Sequence, residues 1–233
     1  AEVAVAAREA GVATSIGYNY RHAPAIEHLR ALVADGAVGR VTNIRAVFLN
    51  GYAAEPKRAL SSRFQKEFSG SGAMCDLLSH VADLVQYVVG PIEEVTALST
   101  IIHAERPLLP MGSGTHFAVI EDGEMGAVEN EDYAAVLARF AAGAVGTLEC
   151  SRVVVGPQCG LSIEVYGTEG SASWNFERMN ELKLALGRGG AHAGYTTILG
   201  NPGMGDYGKF QPGPGNSMGY DDLKVIEAKK FLQ

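Results

Sequence analysis

Apolar positions follow two rhythms along this chain, a helical period early and strand-like alternation late. The first ten residues, rich in Ala with Val3 and Val5, predict a helix that stops at Gly11. Residues 12–18 are short, apolar and strand-like, so helix plus strand suggest the tail of an αβ unit. Pro24 opens a second helix carrying Ile26, Leu29, Leu32 and Val33, which ends at Asp35-Gly36. Residues 41–52 alternate as a strand, and residues 74–90 repeat Leu77, Val81, Leu84, Val85 and Val88 as one helical core face. Further strands are expected at 95–102, 133–140, 145–155, 161–166, 172–176 and 182–186, with a surface excursion over 105–129. The last five strands are joined by short turns and predict an antiparallel meander. A glycine-rich loop over 187–219 and an amphipathic helix from Tyr220 to the end complete the pattern. The fold class is α+β, an open, mostly antiparallel sheet with helices on one face. Its other face stays half apolar and is expected to be covered by a second copy.

The third helix also carries the chemistry. Asp76, His80, Asp83 and Tyr87 fall at i, i+4, i+7 and i+11, one polar stripe opposite the apolar one. Such a stripe is ordinarily just solvated. A solvated face, however, usually offers Lys, Glu and Arg, and residues 70–90 contain no Lys or Arg at all. Short carboxylates, an imidazole and a phenol can accept and move protons near neutral pH. A metal is not expected, because one helix rarely supplies a full ligand shell and no second His/Cys pair at ligand spacing is near. Cys75 is assigned to the apolar side and not to nucleophile chemistry. His22, His28, His103, His116 and His192 are isolated, and Trp174 is expected to pack.

Composition narrows the partners. The 233 residues carry a formal net charge of −7 without a Lys/Arg cluster, which speaks against nucleic acid and anionic membrane. Three cysteines, widely spaced, indicate neither a disulfide framework nor a zinc finger and fit a reducing, cytoplasmic setting. No apolar run reaches the roughly 20 residues of a membrane span. Both ends look cut, as in a fragment of a longer polypeptide. Gly203-Met-Gly205-Asp-Tyr-Gly208 matches the dinucleotide fingerprint by letter only: Pro212 and Pro214 follow where a helix would have to open.

Several pieces, in order, carry a resemblance. They are the run from Gly17 to Ala25 with Asn19, Arg21 and Pro24; Gly36-Ala-Val-Gly39; Gly70-Ser-Gly72 followed by Asp76, His80 and Asp83; Glu131-Asp132-Tyr133; Gly143-Ala-x-Gly146-Thr; and Val165-Tyr-Gly167-Thr-x-Gly170. Together they resemble the glucose-fructose oxidoreductase/inositol dehydrogenase/rhizopine catabolism (Gfo/Idh/MocA) family over residues 1–187. The resemblance implies residues 1–18 as the remnant of a Rossmann domain and 19–233 as a substrate-binding and oligomerisation domain, like that of dihydrodipicolinate reductase. The phosphate-binding glycines and a Glu-Lys-Pro segment with the catalytic lysine are expected upstream. This portion alone is therefore expected neither to hold a dinucleotide tightly nor to turn over.

By the same resemblance the intact parent is an NAD- or NADP-dependent dehydrogenase of a sugar or polyol, a homodimer or homotetramer through the sheet face. His80 takes the proton from a substrate hydroxyl, and Asp76 orients that hydroxyl or the imidazole, with i, i+4 spacing allowing mutual contact. Asp83 and Arg152 are candidate substrate contacts, Asp83 alternatively a structural hydrogen-bonding group. Asn19 and Arg21 are candidate cofactor contacts, with a clamp at the domain junction as the alternative for Arg21. A non-catalytic sugar-sensing relative and an NAD-dependent glycosidase remain rival readings.

Overall fold

The computed structural model describes residues 2–109, 118–187, 189 and 193–233. Helix α1 (Glu2–Ala10) is followed by an extended stretch that is not the expected strand. Ile16 is 75% exposed there, and no described strand lies beside the stretch to supply a ladder. A 3₁₀ turn (Asn19–His22) leads into α2 (Pro24–Ala34), with Pro24 at its first turn, and then into β1 (Val41–Leu49). A single turn α3 (Lys66–Ser69), a π-turn (Met74–Leu78) and α4 (Ser79–Val89) precede β2 (Ile92–Thr100). The excursion expected over 105–129 contains a two-stranded ribbon, β3 (Glu105–Pro107) with β4 (Met125–Ala127). Then come β5 (Tyr133–Phe140), β6 (Val145–Ser151), β7 (Gly160–Gly167), β8 (Gly170–Asn175), β9 (Glu181–Leu186), β10 (Thr196–Leu199) and α5 (Tyr220–Leu232).

Eight strands form one sheet in the order β10-β9-β8-β7-β1-β6-β5-β2. The expected meander is therefore interrupted. β6 and β7 are not neighbours, because β1 lies between them, parallel to β6 (Asn43 opposite Val145) and antiparallel to β7 (Ile44 opposite Val165). Ile44, Ala46 and Phe48 are all buried, so β1 needs a central place where both of its edges are paired. β10 is a second correction. It was hidden within the glycine-rich region and pairs antiparallel with β9, Thr196 opposite Leu184.

Helices cover one face only: α4 lies against β1, β6 and β7, and α2 against β8 and β9. Ile26 and Leu29 of α2 and Val81, Leu84 and Val85 of α4 close over the sheet with no exposed surface. Each such side chain contributes about 1.5–3 kcal/mol of burial. The opposite face is open, with Leu137 63% exposed beside Leu98 and Val145.

The parallel β1–β6 pair has a consequence for the site, because it brings two carboxyl ends to the same rim of the sheet. The Ala53 N–H, just after β1, donates to the Arg152 carbonyl just after β6 at 2.9 Å. Tyr52 and Arg152 thereby emerge side by side.

Candidate active site

The helix that carries Asp76 and His80 is pinned at its start by a carboxylate. Glu131, immediately before β5, accepts from the N–H groups of Gly72 (2.8 Å) and Met74 (3.0 Å), satisfying donors that an opening helix leaves free. Gly72 has no substitute here, since a Cβ would meet the Glu131 carbonyl oxygen at 2.2 Å. The first turn is a π-turn, which rotates its side chains relative to an ordinary helix. Cys75, assigned to the apolar side from the sequence, is exposed: it shares a helix face with Ser79, Ala82 and Gln86, none of them buried.

Asp76 Oδ2 accepts hydrogen bonds from the Tyr52 hydroxyl at 2.7 Å and from Arg63 Nη1 at 3.2 Å. The direct Asp76–His80 contact that the spacing allows does not form; the carboxylate is turned to Tyr52 and Arg63 instead. His80 stands edge-on to three rings, with centroids 5.4 Å from Tyr18, 5.2 Å from Tyr20 and 6.0 Å from Phe48. Its Nδ1 is buried with no hydrogen-bond partner among the described residues. Burial pushes the His80 pKa below its ordinary value, against the opposing pull of Asp76, Asp83 and Glu227. The imidazole is therefore neutral near pH 7 and free to take up a proton.

Asp76 and His80 line one cavity of about 250 Å³ with Tyr20, Phe48, Asn50, Tyr52, Arg63 and Leu77. A second hollow, about 220 Å³, includes Ser69, Ser71, Gly72, Cys75 and Arg152, and Tyr52, Arg63 and Asp76 line both. A larger depression of about 500 Å³ lies on the open sheet face around Val95, Leu137 and Val145. Its lining holds neither an imidazole nor a thiol, so size does not mark the site here.

The remaining sequence candidates go elsewhere. Asp83 is clamped by Arg21 through two hydrogen bonds, one from Nε at 2.9 Å, and the Arg21 guanidinium lies 5.0 Å from the Tyr87 ring. Neither Arg21 nor Asp83 lines the His80 cavity; they tie the 3₁₀ turn to α4. Arg152 reaches the second hollow, yet its guanidinium is buried and held by Asp132 at 2.7 Å and by Asn130. Asn19 is buried, and its Nδ2 has no hydrogen-bond partner among the described residues.

Tyr52, Arg63 and the Tyr20–Phe48 wall escaped the sequence reading. Tyr52 and Arg63 sit in a polar connection with no periodicity. The available signal was their place beyond the carboxyl end of a strand, where binding groups collect. The rejected Gly203–Gly208 fingerprint lies in turns: the Tyr207 side chain is buried, with its single hydroxyl proton within reach of the Asn216 carbonyl at 2.6 Å and the Gly213 carbonyl at 2.9 Å, and no strand leads into a helix there. Among the described residues no three His, Cys, Asp or Glu side chains converge as metal ligands. No described helix is long and apolar enough to cross a membrane.

Comparison with known proteins places these residues in a lineage. The chain is 34% identical over 232 residues to levoglucosan dehydrogenase of Pseudarthrobacter phenanthrenivorans, covering 98% of this chain and 59% of that protein. It is 30% identical over 175 residues to 1,5-anhydro-D-fructose reductase of Ensifer adhaerens, covering 73% of this chain and 44% of that enzyme. The chain thus spans about three fifths or less of these relatives. The solved levoglucosan dehydrogenase in complex with NADH and L-sorbose superposes with a TM-score of 0.86 at 35% identity, over 94% of this chain and 56% of that one. The complex of the same enzyme with NADH and levoglucosan gives 0.83 at 33% identity, again over 94% of this chain and 56% of that one. A profile of the GFO/IDH/MocA C-terminal domain matches residues 26–173, and the chain belongs to that family.

Proposed function

We propose that this chain is the substrate-binding part of an NAD(P)-dependent oxidoreductase that acts on the CH–OH group of a sugar or polyol. In this reading residues 2–18 close a Rossmann domain that carries the dinucleotide, and residues 19–233 form the substrate and oligomer domain. The observation that carries it is the cavity in which a neutral, half-buried His80 and a fixed carboxylate, Asp76, face the same space. The named relatives support it, since levoglucosan dehydrogenase is solved with NADH together with levoglucosan or L-sorbose.

The residues present fit a nicotinamide beside the substrate. Tyr18 and Tyr20 offer an aromatic wall next to His80, and the Asn19 amide nitrogen has no partner among the described residues. Asn19 would hold that group from this chain, while Arg21 serves as the clamp of the 3₁₀ turn. When bound, the nicotinamide supplies the acceptor for a hydride. His80 then takes the proton of the substrate hydroxyl as the same carbon gives up its hydride, which leaves a carbonyl. Asp76 accepts a hydrogen bond from the sugar and orients it. The rings of Tyr20 and Phe48 pack on the apolar face of the pyranose.

The open sheet face, with its exposed Leu98, Leu137 and Val145, is the proposed homodimer or homotetramer interface. A monomeric mass by analytical ultracentrifugation at micromolar concentration would reject it. The three free thiols fit a cytoplasmic protein.

The test of the activity uses the protein that carries this chain together with its dinucleotide-binding domain, assayed with NAD⁺ or NADP⁺ and levoglucosan, L-sorbose or inositol. His80→Ala is expected to lower kcat by about two to four orders of magnitude while leaving the Kd for NADH unchanged. Normal turnover of that variant removes His80 from the chemistry.

A further inference from the structure

We propose that Tyr52 is a positioning residue for this site, fixing the Asp76 carboxylate through Oδ2 so that Oδ1 is the oxygen left for a substrate hydroxyl. The inference rests on the oxidoreductase reading above. Both hydrogen bonds to Asp76, from the Tyr52 hydroxyl at 2.7 Å and from Arg63 Nη1 at 3.2 Å, end on Oδ2. Among the described residues none ends on Oδ1. Two donors on one oxygen stop the carboxylate from rotating, and they leave its second acceptor aimed and unspent.

Tyr52 is itself held. Its backbone N–H donates to Asn50 Oδ1 at 2.9 Å, which fixes the turn leaving β1, and the Arg63 guanidinium lies 5.9 Å from its ring. Burial and the neighbouring Asp76 raise the phenol pKa above its ordinary value, with Arg152 opposing, so the hydroxyl remains a donor at any working pH. Tyr52, Arg63 and Asp76 also line both hollows of the site, so a freely rotating carboxylate would have two directions to point in. The tyrosine removes one of them. Aim set before the substrate arrives acts on kcat, because a misdirected carboxylate still binds the sugar but holds it out of line with His80.

The test is a double-mutant cycle of Tyr52→Phe and Asp76→Asn in the protein with its dinucleotide-binding domain. Tyr52→Phe is expected to lower kcat about tenfold to a hundredfold, the worth of one hydrogen bond to a charged group, with KM changed less than about threefold and Tm unchanged. In the Asp76→Asn background the same change should cost less than about threefold, because the two residues act as a unit. Arg63→Lys should keep most of the turnover that Arg63→Met loses. Wild-type kcat in Tyr52→Phe beside a crippled Asp76→Asn, or equal losses of Tyr52→Phe in both backgrounds, overturns the positioning role and leaves the enzyme reading intact. Full turnover in Asp76→Asn overturns both.

Discussion

Two polar clusters flank the entrance of α4, and they are built on opposite principles. Around Arg152 the side chains are engaged with one another. The guanidinium donates to Asp132 at 2.7 Å, to the Asn130 side chain at 2.9 Å and to the Asn130 and Arg63 carbonyls at 3.1 and 3.2 Å. Asp132 returns its second oxygen to the N–H groups of Ile102 and His103, and the Phe64 ring lies between the guanidiniums of Arg152 and Arg106 at 4.5 and 4.4 Å. Arg152 and Asp132 are 1% and 0% exposed. Around Asp76 the groups are left open: the carboxylate is 37% exposed, and among the described residues nothing engages its Oδ1 or the buried Nδ1 of His80. The buried hub keeps its polar groups paired, with Arg106 Nε the exception among the described residues, whereas a site for a polyhydroxylated ligand keeps several open.

The largest effect is expected where the hub is broken. Asp132→Ala leaves a buried Arg152 and the N–H groups of Ile102 and His103 without their partner, and should cost about 3–5 kcal/mol in chemical denaturation. A wild-type midpoint would erase the distinction between the clusters. His80→Ala is the mirror image, with its loss in turnover and only about 1 kcal/mol in stability from the ring contacts. If its stability falls as far as that of Asp132→Ala, His80 belongs to the scaffold.

The smallest effect is a pH slope. Burial lowers the pKa of His80 and of His28 in the folded chain, so the unfolded chain binds protons first as pH falls below about 6.5. The stabilisation is present above that pH and is lost as pH falls towards the folded values. Tm should therefore decline between about pH 7.5 and 5.5, and decline less steeply in His80→Gln. An unchanged slope in that variant would show that His80 meets the same environment folded and unfolded.

Much of this was legible in the chain. Alternation fixed the strands from Tyr133 to Leu186, and the apolar stripe fixed the core face of α4, because both are consequences of one face being buried. Strand order was not legible: β1 lies beside β6 and β7, and nothing local in residues 41–49 names partners so distant in sequence. The strand expected at 12–18 failed for the converse reason, since apolar character without a neighbour makes no ladder. Within the candidate site, spacing singled out Asp76 and His80, which line one cavity, while the mutual contact it allows does not form. A π-turn changes the phase that i, i+4 reasoning assumes, and Tyr52 and Arg63 reach Asp76 from a segment with no period to read.

The intercalated β1 also determines how the molecule can be assembled. Its flanking partners are synthesised about a hundred residues after it, so Ile44, Ala46 and Phe48 wait with both edges unpaired until Val145–Ser151 has emerged, and with one edge unpaired until Gly160–Gly167 follows. Closing so wide a loop puts this topology among slow folders with exposed sticky intermediates. Truncation anywhere before Gly167 would strand the central ribbon with one neighbour at most, which makes premature termination in that interval a direct route to aggregation.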